Sequence, residues 1–437
     1  MFDPYGTVHA GSRDVTLTRN GRFWRVLAVL AMLSALLATP ASANSSPDSR
    51  NGWTGAWATA MHRPFKGFGE PNWSLDGFAD HSVRQAIRVS IGGSAVRIRL
   101  SNVYGTQALR VTGASVGKAG EGGSVRADTI RPLTFDRAPS TVIPAGRETV
   151  SDAAWLTTAP LDRLAVTVYL AGVTGPATFH LLSLEPSYRA EGDHRFDPGA
   201  AAFGQTSQSF YYLTGVDVLG HSRRDAVVAF GDSITDGVFS TPGADNRYPD
   251  ELAERLVAAG RRLGVLNAGI GGNRLLDDSP CFGDNAVHRF GRDVLEESGV
   301  RTVIVLGSTN DLLSMTLPPD ECITSHPDLT AAHLIDGFRT LIRLAHTHGI
   351  RIIGATVTPF KDDDSGLWTP RIEQARDTVN QWIRTSGEFD AVVDFDRVLA
   401  DPADPDRMRP EFDGGDRLHP NDAGFRAMAA AIDLNAL

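Results

Sequence analysis

Cysteine is scarce in this chain: Cys281 and Cys322 are the two in 437 residues. That excludes a small disulfide-dense scaffold and any Cys-x-x-Cys zinc site. No His-Glu-x-x-His stretch occurs either, so no catalytic metal and no other cofactor is expected. Basic runs are missing, and the formal net charge is -10, which argues against a nucleic-acid partner. Long apolar runs are missing too, with one exception. Residues 26–38 read VLAVLAMLSALLA, too short to span a bilayer comfortably. Arg19, Arg22 and Arg25 precede this run, and Pro40 with Ala41-Ser42-Ala43 follows it. This is the pattern of a signal peptide over residues 1–43, cleaved near Ala43. The rival reading is an uncleaved anchor. The expected location is outside the cell, with no stable membrane insertion after cleavage. In such an oxidising compartment Cys281 and Cys322 are expected to bond. The bond would close a loop of about 40 residues, worth about 2–4 kcal/mol.

What remains divides by hydrophobic period, in keeping with a length that suggests about two domains. Residues 44–52 (NSSPDSRNG) are a polar lead-in. Residues 53–220 alternate apolar and polar side chains in short runs, as in AIRVSIGGSAVRIRLSN and LAVTVYLAG. Glycine, proline and aspartate separate the runs, and no amphipathic helix of useful length is visible. This predicts an all-β sandwich, jelly-roll-like. Gly92-Gly93 reads as a hairpin turn, and residues 187–209 read as a long loop. Trp53, Trp57, Trp73 and Trp155 fit either the sandwich core or a sugar-facing surface.

Residues 221–437 change period, with HSRRD (221–225) as the hinge. AVVAFG, GVLNAG, VRTVIVLGS, IRIIGATVTP and AVVDFDRVL read as buried strands, and helical spacing fills the gaps between them. The prediction is an α/β doubly wound parallel sheet of about five strands, flavodoxin-like in order. Ligands of such sheets bind beyond the carboxyl ends of the strands. There the sequence places Gly231-Asp232-Ser233, Asn267-Ala268-Gly269, Ser308-Thr309-Asn310 and Asp416-Arg417-Leu418-His419.

A serine hydroxyl needs a base to become a nucleophile. Histidine is the suitable base, and a carboxylate must hold its tautomer. Ser233, His419 and Asp416 fill these roles. Oxyanion donors are then required: the N–H groups of Ser233 and Gly269 and the Asn310 amide are the candidates. Asp232 reads as a loop tie rather than a catalytic acid. His346 and His348 sit where they complement a helix dipole.

GDSIT, NAGIGGNR, STND and DRLHP, in this order, resemble the four blocks of the SGNH (GDSL) hydrolase superfamily. The resemblance covers about half the chain. It implies Ser233 as nucleophile, His419 as base oriented by Asp416, and Ser233, Gly269 and Asn310 as the oxyanion hole. The third block departs, since Ser308 stands where members usually have glycine. The opening WTGAWATA is similar to secreted two-domain members grouped with acetylxylan and other carbohydrate esterases. The expected enzyme is therefore a secreted serine esterase. Its expected partner is an ester substrate, first among them short acyl groups on acetylated polysaccharide. The polar stretch DDSPCFGDN (residues 277–285) supports short acyl groups. The alternatives are a lipase or lysophospholipase for longer chains, and a glycan-binding protein with a decayed hydrolase domain.

Overall fold

Burial of one row of side chains in a shared core accounts for the alternation in the first half. The computed structural model describes residues 52–69, 71–220, 226–364 and 366–437. The expected signal peptide, all of the lead-in except Gly52, and the hinge over 221–225 lie outside the described residues. Two antiparallel sheets form the β-rich half. Their strands are β1 (Trp53–Ala58), β2 (His81–Arg88), β3 (Ala95–Ser101), β4 (Gly113–Lys118), β5 (Arg131–Leu133), β6 (Glu148–Val150), β7 (Arg163–Leu170), β8 (Ser187–Glu191), β9 (Gln205–Ser207) and β10 (Leu213–Leu219). One sheet runs β1-β10-β3-β6 and the other β9-β8-β2-β7-β4-β5. Val83, Ile87, Val96, Ile98, Val166 and Val218 fill the shared core. Trp57 and Trp73 are buried with them, which settles both as core residues, whereas Trp155 is exposed.

Three local expectations need correction. Gly92-Gly93 is not a hairpin: β2 and β3 belong to different sheets. The connection crosses between the sheets, and Gly93 pairs with Thr158 instead. Residues 187–209 are not simply a loop. Ser187–Glu191 pairs with His81–Arg88 along five residues, so its polar side chains alternate at a sheet face. AVVDFDRVL is a strand only over Ala391–Val393 and then turns helical.

The second half is a five-stranded parallel sheet. Its strands are β11 (Ala226–Gly231), β12 (Gly264–Gly269), β13 (Val300–Leu306), β14 (Arg351–Ala355) and β15 (Ala391–Val393). The order is β12-β11-β13-β14-β15, the flavodoxin-like order. Burial on both faces explains the near-continuous apolar strands. Helices α1 (Ser233–Asp236), α2 (Tyr248–Ala258), α3 (Ala286–Phe290), α4 (Thr309–Leu313), α5 (Ala331–Thr347), α6 (Pro370–Thr385), α7 (Phe395–Leu399) and α8 (Asp422–Ala431) complete it. Helix α3 is short because it passes into a π-helical turn at Gly291–Leu295.

The two halves touch closely, and both belong to one compact unit. The Gly55 N–H donates to the Ser298 carbonyl at 2.9 Å, and the Val265 N–H donates to Ser90 Oγ at 2.9 Å. A Cβ on Gly264 would sit 2.1 Å from the Gly55 carbonyl oxygen, so glycine is what lets β12 approach β1.

Candidate active site

Strand β11 ends at Gly231, and Asp232 caps the one-turn helix α1. Its carboxylate accepts from the Ile234 N–H at 3.0 Å, which presents Ser233 at the first helical position. Burial pushes the Asp232 carboxyl up to about 6. That suits a structural tie more than a permanently ionised group.

Ser233 Oγ lies 2.8 Å from His419 Nε2. His419 Nδ1 lies 2.6 Å from Asp416 Oδ2. A carboxylate only accepts, so Nδ1 carries the proton and Nε2 is left to accept from the serine hydroxyl. Asp416 is itself held, because its Oδ1 accepts from the N–H groups of Leu418 at 3.0 Å and His419 at 2.8 Å. Burial raises the Asp416 carboxyl, but the His419 ring and these N–H groups together outweigh it and hold it below its ordinary value. Phe239 lies near-parallel to the His419 ring at 5.7 Å. Residues 186 apart in sequence thus meet, and Asn421 caps α8 just after His419.

Asn310 opens α4 beside this group. One of its amide hydrogens goes to the Asn273 carbonyl at 3.0 Å, and the second remains for an oxyanion. Ser308 precedes it with a φ of 80°. The left-handed backbone explains why glycine is the usual residue there.

Gly269 does not fill the role expected of it. Its N–H donates to Asn267 Oδ1 at 2.9 Å. A Cβ there would lie 2.2 Å from the Asp236 nitrogen, so Gly269 is required for packing against α1. Gly272, with a φ of 74°, lines the cavity at Ser233 instead. NAGIGG contains three glycines, and only the path of the turn distinguishes them.

Sequence reasoning also missed Arg289, which is fully buried on the face of Phe230. It donates to the carbonyls of Gly231 (2.7 Å) and Ala268 (2.8 Å) and to Asn273 Oδ1 (2.9 Å). One guanidinium therefore ties the ends of β11 and β12 to the turn that receives Asn310. Its fork of fixed donors suits that task better than a lysine would. Its only sequence signal is an arginine within an otherwise apolar helix face.

A cavity of about 410 Å³ opens at Ser233 and His419. Its walls come from both halves: Phe68, Leu181 and Leu182 face Val238, Phe282 and Leu418 across it. The Cys281–Cys322 disulfide, with Cα atoms 5.3 Å apart, packs against the sandwich core, and Cys281 borders the cavity.

Residues 229–427 match the family model for the GDSL-like lipase/acylhydrolase family. This part of the chain is a GDSL-like hydrolase domain. No curated protein matches the chain. Solved structures resembling the GDSL-like domain include a lipase/acylhydrolase from Enterococcus faecalis (22% identity, 47% of this chain and 92% of that one, TM-score 0.35). Another is a carbohydrate acetylesterase family member from Sinorhizobium meliloti (17%, 47% and 94%, TM-score 0.37). A third is an acetyl xylan esterase from Geobacillus stearothermophilus (21%, 48% and 93%, TM-score 0.35). At these values the likenesses say nothing about substrate. No described helix of the chain is long and apolar enough to cross a membrane.

Outside the GDSL-like cavity, Asp278, Asp284 and His288 bring ligand atoms within 4.8 Å of one another. Asp284 already takes bonds from Arg63, Tyr104 and Arg292, so its charge is balanced without a cation.

Proposed function

We propose that the protein is a serine carboxylic-ester hydrolase working through an acyl-enzyme. The carrying observation is the continuous hydrogen-bonded line from Ser233 through His419 to Asp416. Ser233 Oγ attacks the ester carbonyl while His419 Nε2 takes its proton. Asp416 holds the ring and balances the imidazolium. His419 then protonates the departing alcohol, and water repeats the cycle on the acyl-serine. The Ser233 N–H, the Gly272 N–H and the Asn310 amide are the oxyanion donors of this reading. The intact line also weighs against a decayed, purely glycan-binding protein. The expected leader and the buried disulfide support export.

The lining of the cavity supports acyl chains longer than acetyl. One support for the short-acyl expectation was the polarity of DDSPCFGDN. In the fold Cys281 and Phe282 border the cavity, while Asp278 turns to Asn285 and Asp284 to Arg63 and Tyr104. An acetyl group would leave most of this apolar space unfilled. The acetylated-polysaccharide reading is the alternative.

One experiment tests both levels. Hydrolysis of p-nitrophenyl esters from acetate to palmitate is measured for wild type and Ser233→Ala, with fluorophosphonate labelling alongside. Ser233→Ala should lose about 10⁴-fold or more in kcat and all labelling. Retained activity would refute the nucleophile. The wild-type optimum should lie beyond acetate, and an acetate optimum would restore the short-acyl reading.

A further inference from the structure

His180, in the two-residue strand Phe179–His180 of the β-rich half, is 2% exposed. Its Nδ1 faces the Ala60 carbonyl at 2.8 Å. Its Nε2 faces the Leu182 carbonyl at 3.1 Å and Asp236 Oδ1 at 3.0 Å. Carbonyls and carboxylates accept, so both ring nitrogens have to donate. The geometry is that of an imidazolium paired with a buried carboxylate across the boundary of the two halves.

Asp236 is the last residue of α1, three after Ser233. Its second oxygen accepts from the Gly271 N–H at 3.0 Å. Gly271 lies in the turn closed by the Asn273 N–H on the Ile270 carbonyl at 3.1 Å. That turn carries Gly272 into the cavity and offers the Asn273 carbonyl to Asn310. Movement of Asp236 would therefore shift the turn on which two of the oxyanion donors depend.

We propose that His180 is a positioning residue of the hydrolase site, supplied by the β-rich half: as an imidazolium it holds Asp236, and through Asp236 the Gly271–Gly272 turn. This rests on the reading of Ser233 as nucleophile. Burial opposes the charge on His180, but Asp236 and the two carbonyls outweigh it and move the imidazole above its ordinary value. The groups around it agree with that charge. His62, 5.7 Å away ring to ring, is kept neutral by burial and by His180 itself, with Arg289 and Arg292 adding to the effect. Its Nε2 accepts from the Leu181 N–H at 2.9 Å. Arg247, which caps α2 in the same half as Asp236, is a second cation that interacts with that carboxylate. Because the folded value is raised, the positioning is complete at lower pH and is lost as pH rises through that value. Activity therefore gains a fall on the alkaline side.

The test is the pH dependence of kcat and KM on p-nitrophenyl butyrate for wild type, His180→Ala and His180→Gln. His180→Ala should lose about 10- to 100-fold in kcat, with KM changed less than about threefold. His180→Gln keeps a neutral donor toward Asp236; it should recover part of kcat and lack the alkaline fall. If His180→Gln keeps both wild-type kcat and the alkaline fall, the proposal is wrong. Should the alanine variant not fold, NMR of the wild-type ring decides: a doubly protonated His180 at neutral pH is expected, and a neutral one overturns the idea. Failure of the Ser233 reading shows separately, as activity retained in Ser233→Ala.

Discussion

At residue scale the site mixes positions that chemistry selects with positions that backbone geometry selects. Ser233, Asp416, His419 and Asn310 were singled out in the sequence because each proposed role demands one side-chain type near the end of a strand, and the structure brings them together. Gly269 was misread because a glycine signals backbone freedom without saying which way its N–H points. Ser308 is the converse case. It holds a left-handed φ of 80° with its buried Oγ lacking a hydrogen-bond partner, so the side chain gives nothing back for the strain. A non-glycine residue in this region costs about 1 kcal/mol or more, and glycine returns part of that through unfolded-chain entropy. Ser308→Gly should therefore raise stability by about 0.5–1 kcal/mol, read from the urea midpoint. An unchanged or lowered midpoint would mean that the hydroxyl is stabilising after all.

At the scale of elements, the loops after β12 and β13 decide the shape of the pocket. In residues 277–285 composition does not reveal which side chains turn inward: Cys281 and Phe282 border the cavity. The pairing of Cys281 with Cys322 followed from there being only two cysteines and an expected oxidising compartment, and the structure contains the bond. It joins the loop after the Gly271–Gly272 turn to the loop that follows α4, and both are pinned on the sandwich core. Cys281→Ser with Cys322→Ser should cost about 2–4 kcal/mol. The pocket wall should loosen as well, raising KM for longer acyl esters more than for acetate. Calorimetry together with the ester series checks this, and an unchanged KM ratio would restrict the bond to a stabilising role. Strand boundaries were read less well than strand existence. Tyr212, with a φ of 60°, separates the strands Phe210–Tyr211 and Leu213–Leu219, a break that alternation alone does not announce.

At the scale of the whole molecule, the β-rich half takes part in building the hydrolase site. It contributes Phe68, Leu181 and Leu182 to the cavity and His180 to Asp236, and β1 lies along β12. Residues 226–437 expressed alone should therefore be poorly stable and lose most esterase activity, although they contain Ser233, Asp416 and His419. Turnover of p-nitrophenyl butyrate by this fragment against the full chain checks the point; equal kcat would make the β-rich half dispensable to catalysis. The sequence by itself determined the two architectures and singled out the residues proposed as nucleophile, base and acid. Hydrophobic period reports local burial, and catalytic side chains occur in short local motifs. Only the tertiary structure decided the walls of the cavity at Ser233, which glycine of the turn lines it, and the partners of Arg289 and His180. Those depend on contacts between residues far apart in the chain, whose facing no local pattern records.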